Sequence, residues 1–430
     1  MNRLRLWILK AMHNTISWLV FAEGISLIGS RCTSFVLGIW VFQSTGKTSE
    51  ILLISFFYEV PALVLNPLLG IMVDRYPRKR IMILADTIQA LGSVLLVASI
   101  MLDVFSITVL FVVAMMQGVF ASLQGLAADA TVAPLVQKEQ RHKVNAFKEM
   151  LFPLAGIIAP VVSGAFYFRW GLFSVIAFDF ATYLLSVLIL CFTRIPSTSA
   201  ISRADARREC RSIDLEGFRY LKRHGRLLLF SATVGLTNFL WNGPLELVTP
   251  YLMANGMSQA ALSLIMSFMS IGILIGASML ALNRMKNKNI MLYIIALMWN
   301  GVWMIFFGIV RRPVLLAIAL FFMMLPLPVA GALFKTELQN RVPPHLQGRV
   351  FSIVYQISGG TAPLSFLIIG PLTDHVLTPM MTSHTPELLR QVFGSGSYAG
   401  MGVMLSLAGL LVFAISLLLM AQKTRRQGSS

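Results

Sequence analysis

Five ionisable side chains interrupt otherwise apolar stretches of this sequence: Glu23, Arg31, Glu59, Asp179 and Glu246. Charges at membrane depth are costly and usually face a bundle interior or a cavity. A carboxyl group in such a low-dielectric site can load and release protons near neutrality. Glu23 and Arg31 are eight residues apart, about 12 Å along a helix and on roughly one face. That is too far for a direct pair, but both can line one cavity. Glu59 is placed to meet Arg31, so the expected chemistry is an Arg31–Glu59 pair with proton exchange at Glu59 or Glu23. The competing reading is a static salt bridge that fixes helix packing, which is the expectation for Asp179.

A second group is polar and aromatic. Asn238, Trp241, Asn242, Pro244 and Glu246 follow one another in a single apolar segment. Pro244 removes a backbone donor and interrupts the helix, a discontinuity of the kind found beside substrate sites. Trp40, Phe56, Phe57, Tyr58, Phe239, Trp299, Trp303 and Tyr355 could wall a lipophilic pocket. A Met or aromatic residue in a span more often packs between helices or meets lipid. The six histidines are scattered, with no ligand pair at i, i+4, and the three cysteines suggest no disulfide framework. No metal site, cofactor or enzyme is expected, since no nucleophile–base pair or phosphate-binding glycine loop occurs.

A third group is Gly70-Ile-Met-Val-Asp74-Arg75-Tyr76-Pro77-Arg78-Lys79-Arg80. Gly70 would let a neighbouring helix approach closely. Asp74 lies at the end of an apolar segment, where it can pair with an Arg and a helix N-terminus and so latch helix ends in one conformation. The bland alternative is a basic turn with one stray acid.

The elements that must position these groups are membrane spans. Of 430 residues 57% are hydrophobic and 12% are charged, with mean hydropathy +0.76. A soluble domain carries about 25% charged residues. A spanning helix needs about 20 apolar residues, and twelve such segments are read: 18–42, 50–73, 81–101, 105–127, 148–170, 172–193, 227–253, 258–282, 290–310, 314–334, 350–372 and 398–421. The expected fold is therefore an all-α polytopic membrane protein with two six-helix halves, 1–193 and 227–430. The segment 194–226 is expected as a basic cytoplasmic linker whose stretch Ile213–Leu221 forms an interfacial amphipathic helix. The segment 373–397 is expected as a polar outer loop.

Charge sets the orientation. Of 35 Lys and Arg, Lys47, Arg169, Arg311, Arg312 and Arg390 fall in one set of loops and Arg31 inside a span; the other 29 share the opposite side. This bias places both termini in the cytoplasm and makes anionic lipid, not nucleic acid, the partner of the +17 net charge. The basic N-terminal segment is read as a retained first helix, not a cleaved leader.

The basic turn after the second span resembles the signature loop of the major facilitator superfamily. Gly24-Ile-Ser-Leu-Ile-Gly29, Ile83-Leu-Ala-Asp86, Ala133-Pro-Leu-Val136 and Ala177-Phe-Asp179 resemble its macrolide-efflux and enterobactin-exporter branch. The resemblance implies a bacterial inner-membrane exporter that moves drugs, siderophores or peptide-like metabolites against protons, and commonly a monomer. It also implies that Asp74, Arg75 and Arg78 form a gating charge cluster, to which Asp129 contributes. Gly156, Pro160 and Gly164 partly match the antiporter motif of span five. The Arg that many drug antiporters carry in span four is missing; Gln117 lies in that region. Uptake of a nutrient and a non-transporting sensor or scaffold are the competing functions, since a fold does not fix the direction of flux.

Overall fold

The computed structural model describes residues 2–136, 138–193, 195, 218–281, 290–343, 346–383 and 387–427. Among them no strand occurs. The helices are α1 (Asn2–Thr45), α2 (Thr48–Arg75), α3 (Arg78–Met101), α4 (Ile107–Leu135), α5 (Lys138–Phe192), α6 (Gly225–Glu246), α7 (Val248–Ala254), α8 (Gln259–Ala281), α9 (Ile290–Ile309), α10 (Pro313–Met324), α11 (Leu327–Arg341), α12 (Gln347–Gly359), α13 (Thr361–Leu372), α14 (Thr378–Ser383), α15 (Glu387–Phe393) and α16 (Ser397–Gln427).

Ten of the described helical segments are long and apolar enough to cross a membrane. One of these, Phe147–Phe192, has 46 residues and contains two spans. The Phe166 and Phe178 rings lie 5.3 Å apart, whereas twelve residues of continuous helix would separate them by about 18 Å. The chain therefore reverses, and it does so at Gly171, whose φ of 76° suits glycine. The twelfth span is α6 continued by α7. Large apolar side chains such as Val64, Leu68, Leu188 and Leu418 stand exposed on the outside, as lipid-facing positions require.

The chain divides into two compact units, Met1–Trp40 with Leu53–Arg208 and Val41–Leu52 with Glu209–Ser430. In the first, Leu19, Ala22, Leu69, Val73, Ile81, Met82, Leu123, Ala127 and Leu190 form a buried cluster drawn from α1 to α5. In the second, α9 crosses α16 closely. A methyl group at Gly301 would lie 2.7 Å from the Gly409 carbonyl oxygen, and the reverse holds at Gly409. Gly308 and Gly402 repeat the arrangement seven residues on along α9 and seven residues back along α16. Small residues thus let the two backbones touch.

Backbone groups in lipid must be satisfied within the protein, and proline creates the exceptions. Pro326 leaves the Phe322 carbonyl without its helical donor, and the Trp299 indole N–H fills the vacancy at 2.9 Å. Trp299 and Trp303 also pack on the Phe322 ring. These two tryptophans thus help to close the break at Pro326.

One sequence expectation changes. The segment 373–397 is mostly helical: a π-helical turn (Thr373–Leu377) leads into α14, and α15 follows. Hydropathy ended the span too early because Asp374 and His375 lowered the local average. Of the linker, residues 218–223 are helical and the rest, apart from residues 195 and 224 and the start of α6, lies outside the described residues.

Candidate functional site

Glu23 on α1 has a partner that its own helix could not reveal. The Lys148 ammonium on α5 lies 3.2 Å from its Oε2 and 2.6 Å from Oδ1 of Asp129 on α4. The Lys148 side chain is 9% exposed, Glu23 20% and Asp129 76%. One nearly buried cation is thus shared between an acid inside the span and an acid at its edge. Burial strengthens such attraction because little water screens it. In the sequence Lys148 reads only as the last base of a cytoplasmic loop.

Arg31, about two turns further along α1 than Glu23, lays its guanidinium 3.8 Å from the centre of the Phe152 ring. Tyr58 on α2 lies in the electrostatic reach of both Arg31 and Glu59. Asp179 does not form the expected static salt bridge; its Oδ2 accepts a 3.0 Å hydrogen bond from Ser93, and no cation pairs with it among the described residues. The residue is wholly buried between helices.

The basic turn closes the ends of two helices. Arg78 donates to the Ala130 carbonyl at 2.7 Å, which Pro134, four residues on, cannot serve. Lys79 donates to the Cys191 and Thr193 carbonyls at 2.8 and 2.9 Å, at the negative end of α5. Arg78 therefore meets α4 one residue from Asp129. Asp74 and Arg75 are exposed, and Asp74 has no ion-pair partner among the described residues. Gly70 also differs from expectation: a methyl group there would meet nothing within 4 Å, so no helix approaches it closely in this conformation. The close approaches are elsewhere, with Gly118 of α4 against the Tyr58 carbonyl of α2.

In the antiporter-like stretch Pro160 and Gly164 are buried and Gly156 is half-buried. The Cys32 thiol of α1 donates to the Ala159 carbonyl beside Pro160 at 3.5 Å.

In the second unit the polar run on α6 is held by α12 and α13. The Asn238 amide donates to the Ser358 carbonyl at 3.0 Å, and Asn242 donates back to Asn238 at 2.8 Å. The Ser365 hydroxyl inserts into the α6 backbone: it accepts from the Gly243 N–H at 2.9 Å and donates to the Phe239 carbonyl at 2.5 Å. Opened there, and lacking a donor at Pro244, the helix ends at Glu246. Trp241, Asn242 and Glu246 are all half-buried next to this break. Among the described residues no group of His, Cys, Asp or Glu could hold a metal ion.

Two helical units are built from apolar spans, with ion pairs and opened helices inside them. The family model described as Major Facilitator Superfamily matches residues 19–366. The chain belongs to that superfamily. Among its curated relatives, macrolide efflux protein A of Streptococcus pyogenes is 23% identical over 359 residues, 82% of this chain and 88% of that protein. The multidrug efflux pump Tap of Mycolicibacterium fortuitum is 24% identical over 365 residues, 83% and 88% respectively. Among solved structures, the nucleoside transporter NupG has the same fold, with TM-score 0.71, 16% identity and coverage of 94% of this chain and 99% of that one. A bacterial homologue of the human lysosomal transporter Spinster gives TM-score 0.68 at 14% identity, covering 94% and 97%. As a member of the superfamily the protein is a multi-span membrane transporter of small molecules.

Proposed function

We propose that the protein exports small amphiphilic molecules (drugs, siderophores or peptide-like metabolites) by alternating access, in exchange for protons. The observation that carries this reading is the Lys148 ammonium shared by Glu23 and Asp129. A proton arriving on Glu23 removes one of the two partners of a nearly buried cation and leaves Lys148 to Asp129 at the membrane edge. Substrate and proton loading inside the span would thereby be linked to the end of α4, which Arg78 of the basic turn also holds. The efflux relatives support the outward direction.

Glu59 and Arg31 are the second coupling pair in this scheme. Trp241, Asn242 and Glu246, beside the broken end of α6, are the substrate contacts. Asp74 and Arg75, solvent-exposed here, would engage in the alternative conformation, with Gly70 then packed against a neighbour. Both termini are cytoplasmic, the basic loops face anionic lipid, and the protein works as a monomer.

Growth of a bacterial host expressing the protein tests the direction. Export raises the inhibitory concentration of macrolides or cationic dyes, and Asp74→Asn cancels the gain. Increased sensitivity would instead indicate uptake. An unchanged response across a panel that includes siderophore-like metabolites would favour a sensor or scaffold.

A further inference from the structure

Two acids that the ion-pair scheme leaves unused lie in one buried polar ladder between α3 and the second leg of α5. Ser186 donates to Oδ2 of Asp86 at 2.6 Å. Tyr183 donates to Oε1 of Gln89 at 3.2 Å. Ser93 donates to Oδ2 of Asp179 at 3.0 Å. Steps of three and four residues along α3 match steps of three and four residues back along α5, so the rungs follow from two antiparallel helices with a common period of 3.6. All six side chains are at most 5% exposed. The middle rung branches: the Tyr183 hydroxyl also lies 2.8 Å from the Ser30 hydroxyl of α1 and 3.4 Å from Oε1 of Gln117 on α4.

The other oxygen of each acid, Oδ1 of Asp86 and of Asp179, is buried and has no hydrogen-bond partner among the described residues. Among the described residues no ion pair forms with either acid. The titratable groups whose charge reaches the two acids are Glu23 and Cys32 of α1 and Tyr183 of α5, none of which supplies positive charge; the Arg31 cation of α1 acts on Tyr58 of α2, which in turn faces Tyr183. An isolated carboxylate in such a place is far costlier than a neutral acid, and the group takes up a proton instead.

We propose that this ladder is a proton-binding site, loaded in this conformation with one proton on Asp86 and one on Asp179. Each proton forms an ordinary O–H bond on a carboxylate, giving a neutral acid. α1 covers the Asp179 end: a methyl group at Gly29 would meet the Thr182 hydroxyl and would lie 2.9 Å from Oδ1 of Asp179. Release of the proton to water therefore requires α1 to lift from this end, and Tyr183 joins that helix to the ladder. The proposal concerns occupancy and does not depend on the direction of transport, although it would supply the proton-driven reading with a second store.

Infrared difference spectra of the purified protein at neutral pH against its Asp86→Asn and Asp179→Asn variants test it without any substrate. The expected result is two protonated-carboxyl bands in the wild type, one lost in each variant. Ser186→Ala and Ser93→Ala keep the acids but remove one hydrogen bond each, and should shift the Asp86 and Asp179 bands respectively. They secure the assignment if an Asn variant folds poorly. Carboxylate bands in place of either protonated band would overturn the proposal for that acid. Such a failure would leave the exporter reading standing on Glu23 and Lys148, and a failure of gradient-driven transport would leave these bands unaffected.

Discussion

The Lys148 ammonium lies 3.2 Å from the Glu23 carboxylate across 125 residues of sequence. Removing it leaves a mostly buried acid without a counter-charge. Lys148→Met should therefore destabilise the protein by about 1–3 kcal/mol, the cost of stripping a charged partner from a partly buried group. Adding Glu23→Gln should recover part of that loss. Thermal unfolding in detergent of the single and double variants checks the coupling; strictly additive effects would mean that the pair does not interact.

Arg78 serves a carbonyl that Pro134 leaves open. Arg78→Ala should cost about 1–3 kcal/mol, since the orphaned acceptor lies in a partly buried site. Substituting Ala for Pro134 in that background should restore stability by returning the backbone donor. The same unfolding assay decides it, with no recovery expected if Arg78 acts only as a surface charge.

Asp374 caps the start of α2 inside the second unit. Its carboxylate accepts from the Thr48 and Ser49 N–H groups at 3.1 and 2.7 Å, and from their hydroxyls at 2.7 and 2.6 Å. A carboxylate at a helix N-terminus satisfies donors and complements the helix dipole. Asp374→Ala should cost about 2 kcal/mol on the scale of charge-assisted bonds. Faster hydrogen exchange at residues 48–51 would locate the effect; unchanged exchange there would contradict the capping role.

Glycines on the two sides of this account should respond differently. Gly308→Val forces bulk against the Gly402 carbonyl and should destabilise by about 1–3 kcal/mol or more, as overpacking does. Gly70→Ala meets open space and should leave stability within about 0.5 kcal/mol. If Gly70 packs in the alternative conformation, the same variant nonetheless lowers transport. Paired melting and flux measurements separate the two effects.

Most of the fold was readable because span recognition needs only hydropathy. The one-residue gap between the fifth and sixth apolar segments fell on Gly171, where the chain reverses. The site was less readable for a physical reason. Lys148 finds Glu23 and Asp129 on other helices, and each ladder rung joins residues about a hundred positions apart. Asp86 and Asp179 stood in segments that resemble the efflux branch, but only helix packing shows that they share a ladder. Spacing along one helix found Glu23 and Arg31 together, yet it could not see that Arg31 rests on Phe152. Asp374 looked like loop polarity until the helix continued past it.

Proton-driven export is tested most directly with purified protein in proteoliposomes carrying an imposed pH gradient and a labelled macrolide. The account predicts uphill accumulation on the acidic side, abolished by dissipating the gradient and sharply reduced in Glu23→Gln and Glu59→Gln. Accumulation that ignores the gradient, or that proceeds unchanged in both variants across pH, would contradict it.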